Sequence, residues 1–159
     1  MTISSPSPRD VTDNAMPSGT SLAIELMVIL GDLYAEARYT ERAAHMLETI
    51  AEPMARYPTA FGHALGAADM LVRGAVEVAL VGVVGGALFD ELAAVVAGQY
   101  VPSLVLAGGG DVEGIALMAG RSGASATAYV CRRYACSAPT RDTVELGREL
   151  ETARQVIGS

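Results

Sequence analysis

The amino-acid sequence predicts a set of helices followed by a small α/β lobe with parallel strands, an α plus α/β chain. Up to about residue 73, apolar residues recur every three or four positions, which is typical of helices that bury one face. From Gly74 onward, short apolar runs are bounded by glycines and prolines, as expected of strands. These observations divide the 159 residues into a flexible lead-in over 1–12, a helical segment over 13–73 and the α/β lobe over 74–159.

Three helices are predicted in the helical segment. The first starts at a cap formed by Ser18 or Ser21, ends near Leu33, and is apolar almost all round, so it needs neighbours on more than one side. The second starts at a Thr40 cap and is kinked or ended by Pro53. The predicted buried stripes are Ala43, Leu47 and Ile50 on the second helix, and Phe61, Leu65, Ala68 and Val72 on the third.

The α/β lobe is predicted to contain a parallel crossover unit. Residues 76–81 form a first strand, 87–97 a helix and 103–107 a second strand, an order that suits two parallel strands joined by a helix. A third strand is predicted over 126–132. The last helix begins within 139–142, and its predicted buried stripe includes Val144, Leu146 and Leu150.

Composition and charge narrow the function classes. Hydrophobic residues make up 51% of the chain and charged residues 18%, against about 25% charged in typical soluble domains. This apolar excess predicts a protein partner or self-association through exposed helix faces. The net charge of -7, with only 11 Lys and Arg residues, argues against binding to nucleic acid or anionic membranes. The apolar stretches fall short of a bilayer span of about 20 residues and no leader pattern is present, so a cytoplasmic location is expected.

Several short motifs resemble those of one protein family. The first motif, at the start of the helical segment, is a stretch that the family has as Asp-(Gly or Asn)-Ala-x-Pro-Ser-Gly-Asn-Ser. In this chain Thr20 stands where the family usually has the second Asn. The matching residues there are Asp13, Ala15, Pro17, Ser18, Gly19 and Ser21. Further matches are Tyr39, Glu77-Val78, Tyr100-Val101-Pro102, Thr127-Ala128-Tyr129-Val130-Cys131, Cys136 and Pro139. Over about residues 13 to 151, the chain therefore resembles the C-terminal part of the thioredoxin-domain-containing, spermatogenesis-associated family.

The resemblance implies a fold and a function class. In that family, a thioredoxin-like domain precedes a toroid of paired helices similar to N-acylglucosamine 2-epimerase and six-hairpin glycosidases, and a small α/β end follows. By this likeness, 13–73 are the last helices of a toroid, and the chain is a fragment that is not a complete enzyme alone. The thioredoxin-like cysteine motif lies outside it, so that motif's activity is not carried over. The expected ligand is a sugar-like molecule, in a cleft completed by another chain. The alternative is a non-catalytic interaction module with a redox latch.

Polar residues around the first helix are the ligand-binding candidates. Ser18, Ser21 and Glu25 are spaced to share one face, and Asp13 with Asn14 precedes them. These groups suit sugar hydroxyls, but the same Asp and Ser residues are also common helix caps, and both interpretations stay open. A further candidate, Asp69, would act as an acid or base with Glu25, or else bond to a helix end.

Cys131 and Cys136 are the redox candidates. If the four residues between them turn as a hairpin, the two cysteines lie opposite each other and within disulfide reach. Arg132 and Arg133 would then favour the thiolate forms. The alternative is a pair of small buried thiols. The spacing is not Cys-x-x-Cys, and His45 and His63 do not complete a zinc ligand set, so neither a metal nor a cofactor is predicted.

Overall fold

The computed structural model describes residues 11–110, 113–121 and 125–155, so most of the predicted lead-in lies outside the described residues. The described ranges contain both helices and a sheet, which confirms the mixed class. The helices are α1 Gly19–Tyr34, α2 Ala37–Arg56, α3 Gly62–Arg73, α4 Ala87–Ala97 and α5 Thr143–Gln155, with short 3-10 turns at Pro58–Ala60 and Ala116–Met118. The strands are β1 Val76–Val81, β2 Leu104–Gly109, β3 Thr127–Arg132 and β4 Ala135–Cys136.

The four strands form one mixed sheet in the order β2-β1-β3-β4. β1 and β2 are parallel, as predicted for the crossover through α4. β3 pairs with β1 in the antiparallel direction and turns back into β4, so the lobe is not built of parallel strands alone. All six residues of β1 are buried, because it lies between β2 and β3 and has helices against both faces.

Helices cover the sheet on both sides. Ala79 and Val81 of β1 belong to a core shared with α1, α2 and α3. The alternating residues Val76, Val78 and Leu80 belong to a second core shared with α4 and α5. The helical segment therefore packs directly against the sheet, and a toroid arrangement of α1–α3 is not confirmed. Among the described helices, none combines the length and the apolar content needed to cross a bilayer.

The second helix departs from its predicted start. Its buried residues Ala43, Leu47 and Ile50 are those predicted. The Thr40 cap was a wrong prediction, because α2 begins at Ala37 and the Thr40 hydroxyl donates to the Ala37 carbonyl from inside the helix. Pro53 does not end the helix, which continues to Arg56, immediately before the Tyr57-Pro58 pair.

Two predicted stripes are partly wrong. On α3, Leu65 is 39% exposed and Val72 is 69% exposed, whereas Ala64, Ala67 and Met70 are buried. The buried stripe is therefore shifted, and two of its three residues, Ala64 and Ala67, have small side chains. On α5, Leu146 and Leu150 are buried as predicted, but Val144 is exposed.

Candidate functional site

The Asp13 carboxylate joins the starts of two helices. Its Oδ1 accepts a hydrogen bond from the Ser18 amide at 2.8 Å. Its Oδ2 accepts from the amides of His63 at 2.9 Å and Ala64 at 3.1 Å, in the first turn of α3. Those amides have no partner within the helix, so a carboxylate from 50 residues away satisfies them. Both oxygens of Asp13 are therefore used in holding α3 to the turn before α1.

Ser18 caps α1 as predicted. Its Oγ accepts from the Ser21 amide at 3.1 Å and lies 2.9 Å from the Ser21 Oγ, and both serines are buried. Burial raises the pKa of Asp13, but hydrogen bonds from Ser18, Ser21, Ala64 and His63 outweigh it and hold the pKa below the ordinary value of 3.8. Asn14 is exposed on the outside of the turn. These contacts match the capping interpretation of the turn.

Replacing Asp13 with alanine is expected to lower the free energy of unfolding by about 2 kcal/mol, the upper end for a lost helix cap, because both α1 and α3 lose a partner. Since folding depresses the Asp13 pKa, its contribution is present above the unfolded-state pKa and is lost as the pH falls through the folded-state pKa. Urea unfolding at neutral pH and near pH 2 measures both effects. The exposed neighbour change Asn14→Ala is the control, and equal stability of the two variants at neutral pH would contradict the capping role.

Glu25 and Asp69 are not brought together by a common partner. Glu25 lies 2.9 Å from the His63 Nε2 across the α1–α3 contact, and both side chains are about one-third exposed. Asp69 forms an ion pair at 2.9 Å with Arg73, one turn further along α3. Glu25 and Asp69, predicted as an acid pair, thus each have a different partner, His63 and Arg73.

The two cysteines are opposite each other in the β3–β4 hairpin, residues 127–136, and form a disulfide bond. Their Cα atoms are 3.9 Å apart. Cys131 is buried on β3, whereas Cys136 is exposed on the short edge strand β4. Of the alternatives that the spacing left open, the hairpin with a bonded pair is the one found, and a reagent from solution reaches the sulfur of Cys136 first.

The cation next to the disulfide is Arg121 rather than the predicted pair. The Arg121 Nη2 lies 3.3 Å from the Cys131 sulfur and 3.0 Å from the Cys136 sulfur, and its guanidinium stacks 5.0 Å from the centre of the Tyr129 ring. Arg132 instead donates to the carbonyls of Gly74 and Ala153. Successive side chains on a strand point to opposite faces, so Arg132 faces away from the Cys131 sulfur.

The turn of the hairpin adopts an unfavourable backbone conformation. Arg133 and Tyr134 have φ angles of 48° and 62°, in the left-handed region that glycine and asparagine prefer in two-residue hairpins. Each costs about 1–2 kcal/mol relative to the right-handed conformation. Three hydrogen bonds fix the turn to the rest of the fold. The Arg133 guanidinium donates to the Val72 carbonyl, the Tyr134 amide donates to the Glu77 carboxylate, and the Tyr134 hydroxyl donates to the Gly31 carbonyl.

Two carboxyl groups, one buried and one partly buried, lie below this turn. Glu77, on β1, is 1% exposed and is the register partner of Cys131. Asp32, near the end of α1, has a buried Oδ2 without a hydrogen-bond partner among the described residues. Burial raises the pKa of Asp32. Burial and Asp32 raise the pKa of Glu77 more than hydrogen bonds from Tyr134 and Arg133 and the charge of Arg121 lower it.

Sequence reasoning missed most of this cluster. Glu77 entered the sequence-based predictions only within the matched Glu77-Val78 pair, yet a lone acid in a buried strand is itself a signal, because such a group needs a partner. Arg121 and Asp32 carry no comparable local signal, since only the tertiary fold places Arg121 beside the disulfide and Asp32 near Glu77. Within the described residues, no group of His, Cys, Asp and Glu side chains is arranged to hold a metal ion.

Three comparisons with known proteins gave no match. No protein-family model matches the chain. No curated protein sequence and no solved structure matches it either. The features of the described residues that bear on function are therefore the disulfide and its neighbours.

Proposed function

We propose that this chain is the end region of a larger thioredoxin-domain-containing protein of the spermatogenesis-associated type, and that it is a non-catalytic interaction module closed by a redox latch. The latch is the Cys131–Cys136 disulfide together with the β3–β4 hairpin that it closes. The observation that carries the proposal is the contact of Arg121 with both sulfurs. The family resemblance also supports the proposal, because the matched segment from Thr127 to Cys136 forms this hairpin.

A dithiol can serve as the electron donor that reduces the latch. A thiolate of the dithiol attacks the exposed Cys136 sulfur, the disulfide bond breaks, and Cys131 leaves as a thiolate beside Arg121. The second thiol of the reductant then attacks the mixed disulfide, which forms the oxidised reductant and releases Cys136. Two electrons pass from the dithiol to the cysteines, and two protons complete the thiols. The positive charge of Arg121 favours both the attack and the departing thiolate.

Opening the latch would free the surface that the hairpin covers. The turn contacts α1 through Tyr134 and the end of α3 through Arg133. Without the disulfide, the left-handed conformations of Arg133 and Tyr134 lose their covalent support, so the turn relaxes away from these helices. The carbonyls of Gly31 and Val72, which the turn now covers, and the carboxyl groups below the turn then become accessible to a protein partner.

Replacing Arg121 with glutamine is expected to slow reduction of the disulfide by dithiothreitol about tenfold, the effect of raising the leaving thiol's pKa by roughly one to two units. Trapping free thiols with an alkylating reagent and counting them by mass measures the rate. Arg38→Gln is the matched control, because Arg38 is exposed and pairs with Glu36. Equal rates for the unmodified chain and the Arg121 variant, or reduction only after global unfolding, would contradict the latch.

A second candidate is the sugar-binding toroid fragment. The observation that favours it is that α1 leaves Leu22 and Leu26, one helical turn apart, about half exposed, as on a face that further helices would cover. The same face would serve self-association. The Asp13→Ala variant also tests this candidate, which predicts lost sugar binding with unchanged stability. A clean monomer by light scattering, with no sugar bound, would count against it.

A further inference from the structure

Glu77 is a buried acid for which the fold itself provides no counter-ion in direct contact. Its two carboxylate oxygens accept from the Tyr134 amide at 3.2 and 3.4 Å, and the Arg133 amide also hydrogen-bonds the carboxylate. No ion pair of Glu77 occurs among those residues. Burying an acid on the central strand without a paired cation is costly, and such groups are frequent where protons are transferred.

The position of Glu77 relates it directly to the latch. Glu77 and Cys131 are opposite each other across the antiparallel β1–β3 pair, so their side chains are on the same face of the sheet. The Tyr134 amide that binds the carboxylate belongs to the turn between the two cysteines. The carboxylate therefore lies below the turn, next to the strand position from which the buried sulfur departs.

We propose that Glu77 is the proton-transfer residue of the latch, donating a proton to the Cys131 sulfur when the disulfide is reduced and accepting it when the disulfide forms again. This inference rests on the proposed function. In reduction, the dithiol supplies both electrons, Cys131 departs as a thiolate, and the Glu77 carboxyl supplies the proton that makes it a thiol. Glu77 then regains a proton from water, so the atoms and charges balance.

The neighbouring groups are less suited to this step. The Arg121 guanidinium contacts both sulfurs but does not give up a proton in proteins. The Tyr134 hydroxyl already donates to the main chain of α1 at Gly31 and Asp32. Asp32 faces Glu77 from α1, and its charge raises the pKa of Glu77. On the other side of β1, the register partner of Glu77 is the apolar Val105 of β2.

The titration of Glu77 agrees with a donor role. Burial is the largest cause that raises its pKa, so the carboxyl stays protonated to a higher pH than an exposed glutamate. Below that pKa, Glu77 holds the proton that a departing thiolate needs. Above it, the ionised carboxylate has no proton to give and repels a developing thiolate.

The test is the pH dependence of reduction by dithiothreitol in the full chain, with each rate divided by the thiolate fraction of the reductant. For the unmodified chain, the corrected rate should fall as Glu77 ionises. For Glu77→Gln it should be nearly independent of pH and about tenfold lower at about pH 5, a modest general-acid effect. At about pH 8.5, where thiol reductants are largely reactive, the variant should equal or exceed the unmodified chain. Glu25→Gln, the same change at a carboxylate facing α3, should keep the original profile.

The outcomes separate the inference from the proposed function. A constant ratio between the unmodified chain and Glu77→Gln at every pH overturns the inference alone, because a purely structural residue would change both ends of the profile equally. Failure to reduce the folded chain with any thiol overturns the latch and the inference together. If Glu77→Gln does not fold, the solvent deuterium isotope effect on the unmodified chain decides. With the rates corrected for the thiolate fraction of the reductant in each solvent, slower reduction in deuterium oxide at low pH supports proton transfer, and equal rates contradict it.

Discussion

Replacing Phe61 with alanine is expected to lower the free energy of unfolding by about 3–5 kcal/mol, as usual for a buried aromatic residue. Phe61 is 2% exposed and precedes α3, where it packs in the core that α1–α3 share with the sheet. Urea unfolding followed by circular dichroism measures the loss. Tyr57→Ala is the matched control, because Tyr57 is 56% exposed and should cost little.

The same experiment tests whether the helical segment and the sheet are one cooperative unit. Because α1–α3 share their core with Ala79 and Val81 of β1, the Phe61 variant should unfold in a single transition at lower urea. A loss below about 1 kcal/mol, or an early transition confined to part of the helical signal, would contradict the shared core.

Replacing both cysteines with alanine is expected to cost about 2 kcal/mol of stability through the lost closure of a six-residue loop, which lies at the lower end for disulfides. The change should also make the turn at Arg133 sensitive to trypsin, because Arg133 and Tyr134 no longer have covalent support for their left-handed conformations. Unfolding in urea and limited proteolysis measure these effects.

The control for the double cysteine variant is the unmodified chain after reduction. It lacks the same bond without any change of side chain, so it should show the same trypsin sensitivity and a similar loss of stability. A reduced chain as stable and as resistant as the oxidised one would mean that the hydrogen bonds of the turn hold it without the disulfide.

The sequence predicts the central elements well. The expected ranges 76–81 and 87–97 agree with β1 and α4, because a mostly apolar run entering a glycine and a helix bounded by glycines carry strong local signals. The third helix was less well predicted. Its small buried side chains, Ala64 and Ala67, are indistinguishable by pattern from exposed alanines, so the larger Leu65 and Val72 were wrongly assigned to the core.

Part of the candidate site could likewise be predicted from the sequence, and part could not. The opposition of Cys131 and Cys136 follows from a hairpin spacing, so it was predictable as one alternative. The contact of Arg121 with the sulfurs depends on a loop folding over β3, and Asp13 reaches α3 across 50 residues. Such partners are set by tertiary packing and have no counterpart in local periodicity.

The most direct test of the latch is hydrogen exchange of the oxidised and the reduced chain, read by mass spectrometry. Reduction should raise exchange at residues 131–137 and leave α4 as protected as before, since α4 packs on the opposite face of the sheet. Unchanged exchange at 131–137 would contradict a redox latch, because the disulfide would then control nothing. Loss of protection throughout the chain would contradict it as well, because the disulfide would then be a general stabiliser of the fold.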